Sequence, residues 1–137
     1  MKILCINPPQ KINRKFIDYP PFTAYSLWHT AAYLRDCGHE IDVLDAYSLP
    51  ESATSESGLE YFYAGASTGA LEKRISRLSF DAALIHASQY AIQEPGRRSL
   101  RAVCRSVRKL HSEARIILAD LYTGGMNYLP FLYECAT

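Results

Sequence analysis

The chain lacks almost every feature that would fix its chemistry in advance. Its four cysteines, Cys5, Cys37, Cys104 and Cys135, are too far apart for a Cys-x-x-Cys zinc, redox or cluster motif, so they are expected to be reduced thiols. Neither sign of charge dominates: 15 basic against 14 acidic residues leave a net +1, which gives no reason to expect a nucleic acid or an anionic membrane as partner. No apolar run approaches the ~18 residues of a membrane span. Met1 to Cys5 is too short an apolar start for a signal peptide, so a cytoplasmic protein is expected. Nucleotide signatures are missing too, with no Gly-x-Gly-x-x-Gly after the first strand and no Gly-x-x-x-x-Gly-Lys-Ser/Thr anywhere. His29, His39, His86 and His111 are scattered. No catalytic residue and no metal ligand is therefore assigned, although His86 closes a predicted strand where a site role is open to it.

What is present is a strong alternation of strands and helices. At 137 residues the chain fits one domain, expected to bury about two thirds of its unfolded surface. Lys2 to Ile6 is apolar without interruption after the lysine, the pattern of a strand covered on both faces, and it stops at Asn7-Pro8-Pro9. Ala24, Leu27, Trp28, Ala31 and Leu34 recur at helical spacing, predicting a helix over Thr23 to Cys37 that Gly38 ends. A second strand follows over Glu40 to Asp45, a third over Phe80 to Ala87 and a fourth over Ala114 to Ala119. Leu71, Ile75 and Leu78 mark a weak helix, and Leu100, Val103, Cys104, Val107 and Leu110 mark a strong one over Arg97 to His111, whose basic residues form a solvated outer face. The stretches Gln10 to Phe22 and Tyr47 to Thr68 read as loops, the second with a short helix around Leu59 to Tyr63; Tyr128 to Cys135 begins a last helix. This is a doubly wound, Rossmann-like (flavodoxin-like) α/β fold with a parallel sheet in the order 2-1-3-4. A fifth strand normally completes such a sheet. Only four are legible, so the chain reads as part of a longer protein or as a domain that closes its edge differently.

In an open parallel sheet the ligand crevice lies beyond the carboxyl ends of the strands. The prolines at 8 and 9 end the hydrogen-bond ladder and stiffen a turn, predicting a preformed apolar lip there. Asp45 and Asp120 close strands in crevice position, where aspartate commonly caps the next turn. Ser88-Gln89-Tyr90 and Tyr122-Thr123-Gly124-Gly125 supply hydroxyls, an amide and close backbone approach, suited to a large ligand with a polar rim.

Three stretches together resemble a known family: Met1-Lys2-Ile3-Leu4-Cys5-Ile6-Asn7-Pro8-Pro9, Tyr19-Pro20-Pro21-Phe22 leading to Ala31 through Glu40, and Val43-Leu44-Asp45-Ala46. The family is the N-terminal cobalamin-binding domain of cobalamin-dependent radical S-adenosylmethionine enzymes. The likeness is close over residues 1 to 46 and fainter to 119. It implies a domain spanning residues 1 to 137 that holds a corrin over the strand ends, touched by Asn7, Pro8, Pro9, Ser88 and the loop after the fourth strand. No Asp-x-His-x-x-Gly loop is present, so such a cobalamin would take no cobalt ligand from it. In many relatives a Gly-Gly pair follows the fourth strand directly, whereas here Asp120 stands there and Gly124-Gly125 come later. The Cys-x-x-x-Cys-x-x-Cys of an iron-sulfur cluster is missing, so the cluster, S-adenosylmethionine and the small-molecule or peptide substrate would belong to a radical domain in cis or in trans. The competing expectation is a cofactor-free structural or interaction module of the same ancestry. Tyr61, Phe62, Tyr63, Tyr122 and Tyr128 suit a corrin wall or a partner surface equally.

Overall fold

A computed structural model of the chain describes residues 1–15, 24–87 and 97–119. Four parallel strands form its main sheet: β1 (Lys2–Asn7), β3 (Glu40–Asp45), β6 (Ala82–His86) and β7 (Arg115–Ala119), side by side in the order β3-β1-β6-β7. A second sheet is antiparallel, with β5 (Tyr61–Gly65) between β2 (Gln10–Asn13) and β4 (Ala53–Glu56). Numbered over the seven described strands, the main sheet runs 3-1-6-7 rather than 2-1-3-4, because β2, β4 and β5 interrupt the chain between its members. Taken by themselves, the four parallel strands lie second, first, third, fourth along the chain.

The two central strands explain their own composition. β1 from Ile3 onward and all of β6 are buried, as continuous apolar runs require, whereas β3 and β7, each paired on one side among the described residues, alternate in exposure. Side chains at alternate positions feed two separate cores. Ile3, Cys5, Ile41 and Leu84 pack with Leu27 and Ala31 of α1 (Tyr25–Asp36). Leu4, Ile6, Ala83 and Ile85 pack on the other face with Leu71 and Ile75 of α2 (Thr68–Ile75) and with Leu100, Val103, Cys104 and Val107 of α3 (Arg97–Leu110). Helices thus cover both faces. Each fully buried Leu or Ile contributes about 1.5–3 kcal/mol relative to exposure.

Helix ends follow local chemistry. Ser67 caps α2 by accepting from the Ala70 amide at 3.2 Å. Gly38, at φ +84°, closes α1: its amide donates to the Arg35 carbonyl and the His39 amide to Leu34. The chain then enters β3 at once, with the Glu40 amide donating to the Met1 carbonyl.

The sequence misreads the small sheet. The stretch from Gln10 is a strand, with Gln10 and Ile12 buried and Lys11 and Asn13 half-buried. Leu59 to Tyr63 holds no helix: Gly58, at φ +79°, turns a hairpin whose closing bond runs from the Ser57 amide to the Tyr61 carbonyl, and Tyr61, Phe62 and Tyr63 form β5. Aromatic residues favour strands once a partner exists, and both partners of β5 are distant in the chain or exposed and polar. The expected helix at Tyr128 to Cys135 lies outside the described residues.

Candidate functional site

The connection from β1 to β3 passes through α1 on one face, whereas α2 and α3, which lead into β6 and β7, lie on the other. The crossover direction therefore reverses between β1 and β6, and this is where an open α/β sheet binds ligands. Three polar residues close the strands around that point. Asn7 pairs with Asp45 in register, and continuing the Ile6–Ile85 pairing by one residue sets His86 beside Asn7. All three share the alternation of Ile3, Cys5, Ile41 and Leu84, so they form one row across β3, β1 and β6 on the α1 face. They are buried to 1%, 1% and 4% exposure.

Asp45 organises this row. Its Oδ1 accepts from Asn7 Nδ2 at 2.9 Å and from the Tyr47 amide at 3.0 Å, and its Oδ2 accepts from the Trp28 indole at 3.3 Å. The bond to Tyr47 caps the turn after β3, as sequence reasoning anticipates for a strand-terminal aspartate. The Ser48 amide and hydroxyl both donate to the Asp45 carbonyl, and the Ala46 amide donates to the Asn7 carbonyl. Three donors on one carboxylate satisfy the buried charge that would otherwise be costly. Asn7 Oδ1, in contrast, has no hydrogen-bond partner among the described residues.

The diproline is not an exposed lip. Pro8 and Pro9 are buried and carry the chain straight from the parallel sheet into β2. Gly65, at φ +101°, lies so close that a Cβ there would stand 3.3 Å from Pro9 Cα, Pro9 Cβ and Ala46 Cβ. The Ala66 amide donates to the Ala46 carbonyl at 2.7 Å. The small sheet is thereby fastened to the tips of β1 and β3. On its other side, Tyr63 hydrogen-bonds with Ser99 of α3 and the backbone of Thr68, while burial pushes its phenol above the ordinary range.

Of the site residues expected from sequence, Asn7, Pro8 and Pro9 belong to this region. Ser88, Gln89, Tyr90, Asp120, Tyr122, Thr123, Gly124 and Gly125 lie outside the described residues. Sequence reasoning placed Asp45 and His86 at strand ends but missed that they flank Asn7; the signal was available, since each is the last residue of its strand and each shares the alternation of the same apolar face. Among the described residues no group of three or more His, Cys, Asp or Glu could hold a metal ion, and no helix is long and apolar enough to cross a membrane. Comparisons with protein-family models, with curated proteins and with solved structures find no match for this chain.

Proposed function

We propose that the domain binds a cobalamin-type cofactor at the carboxyl ends of its parallel strands and presents it to a radical S-adenosylmethionine domain in cis or in trans. The observation that carries this reading is the reversal of crossover direction between β1 and β6, with polar residues buried at that point. Asn7 fits the corrin: its Oδ1 is a buried acceptor in need of a donor, and the corrin rim carries primary amides that donate. When bound, cobalamin would supply the methyl-transfer or redox chemistry through its cobalt. The protein would supply position and exclusion of water, with Asn7, Pro8 and Pro9 as the fixed floor and Ser88, Gln89, Tyr90, Asp120, Tyr122, Thr123, Gly124 and Gly125 as further contacts. In this reading the sheet is flavodoxin-like. The assignment is tested by mixing purified protein with hydroxocobalamin, removing free ligand and recording the visible spectrum. Retained corrin absorbance is expected; none at high micromolar protein overturns the proposal.

A second reading, a cofactor-free structural or interaction module, is favoured by the burial of Asn7, Pro8 and Pro9 and by the tight seat of Gly65 on Pro9. That packing closes part of the strand-end surface with the protein's own chain. Complete loss of corrin on gel filtration selects this reading.

A further inference from the structure

We infer that Asp45 locks the Asn7 carboxamide in one orientation and so makes the tip of β1 an acceptor-only subsite, selective for a ligand group that donates an N–H. The argument begins with the carboxylate. Asp45 can only accept from Asn7, so the amide must turn Nδ2 toward it, at 2.9 Å. A carboxamide is planar, and its oxygen is then held on the side away from β3. Rotation is blocked, because a flipped amide would press oxygen against oxygen. Asp45 itself cannot swing aside, since Trp28 holds Oδ2 and the Tyr47 amide holds Oδ1.

The result is an oriented acceptor, 1% exposed and without a partner among the described residues, at the point where the sheet topology favours a ligand. A buried acceptor left unmade is costly, so the site gains from a donor and repels another acceptor. A neutral primary amide or amine satisfies it; a carboxylate or phosphate oxygen does not. Resting on the cofactor reading, the inference specifies which part of the corrin meets β1, namely one of its rim amides rather than the phosphate of the nucleotide tail. Asn7 is here the contact, and Asp45 is a positioning residue acting through it.

The experiment titrates wild type and Asn7→Ala with hydroxocobalamin and with its monocarboxylates, in each of which one rim amide is hydrolysed to an acid. Binding is read from retained corrin absorbance and from the fluorescence of Trp28, the single tryptophan. Wild type should bind one monocarboxylate about tenfold more weakly than the parent, the loss of about one hydrogen bond. Asn7→Ala should bind both members of that pair alike, at the weakened level. Equal binding of the whole series by wild type, or unchanged discrimination by Asn7→Ala, overturns the inference. Should Asn7→Ala fail to fold, Asn7→Ser keeps a hydroxyl that can donate toward Asp45 but removes the outward carboxamide oxygen and shortens the side chain, and the same loss of discrimination is required of it. If wild type retains no corrin at all, the cofactor reading falls separately. The lock is then judged in a high-resolution crystal structure of the free protein: Oδ1 turned away from Asp45 and accepting no protein donor upholds it, and a flipped amide or a protein donor on Oδ1 overturns it.

Discussion

Asp45 shows how one side chain can demand a specific chemical form. Asparagine has the same shape, but three donors converge on residue 45, and an amide nitrogen must then face either the Trp28 indole or the Asn7 and Tyr47 donors. Asp45→Asn should therefore cost about 1–3 kcal/mol, seen as a lower urea midpoint with an unchanged slope. A midpoint equal to wild type would show that the three bonds contribute nothing. Two glycines offer a matched pair. Gly65→Ala combines a left-handed φ with contacts at 3.3 Å to Pro9 and Ala46, whereas Gly58→Ala meets nothing within 4 Å. The first should lose about 2–3 kcal/mol and the second about 1 kcal/mol, and equal losses would mean that Gly65 does not fasten the sheets.

At the level of elements, the parallel sheet and the three described helices were legible because each carries its own periodicity. Leu27 and Ala31, Leu71 and Ile75, and Leu100 through Val107 announce a helical stripe without reference to anything distant. β1 and β6 announce burial on both faces by being apolar throughout. β2, β4 and β5 were illegible because their strand character comes from pairing: Gln10–Asn13 meets Ala64–Tyr61, far along the chain, and Ala53–Glu56 is exposed at every residue. Stability should follow the same division. In hydrogen exchange the amides of β1 and β6 should be the slowest, opening only with global unfolding, and those of β4 among the fastest of the strands. Protection of β4 equal to that of β1 would contradict this and show that the edge is covered.

Over the whole molecule, two groups, Cys5 in the core under α1 and Tyr63 in the small sheet, respond to alkali in the same direction. Burial pushes the Cys5 thiol from its ordinary 9.0 up to about 11, and burial also raises Tyr63, against the opposing hydrogen bonds with Ser99 and Thr68. Both groups hold their protons in the folded state after the unfolded chain has released them. Below pH 9 neither affects stability; as pH rises from there to about 11, the unfolded state is favoured progressively and Tm should fall. Cys5→Ala should make that fall shallower between pH 9 and 11, whatever it does to Tm at neutrality. An unchanged slope would rule the thiol out as a contributor. The acid side is expected to be flatter, since Glu51 and Glu72, whose carboxyls Arg74 and Lys109 hold below their ordinary range, sit on the surface where solvent screens the pairs.

The sequence by itself determined the strands that are buried on two faces and the helices that cover them, because periodicity and turn chemistry are local properties. Only the tertiary structure decided that the diproline is buried beneath a second sheet, that Asn7, Asp45 and His86 form one row, and that the Asn7 amide has a single allowed orientation. Those facts depend on partners such as Asp45, 38 residues from Asn7 in the chain, whose approach is set by strand pairing and helix packing.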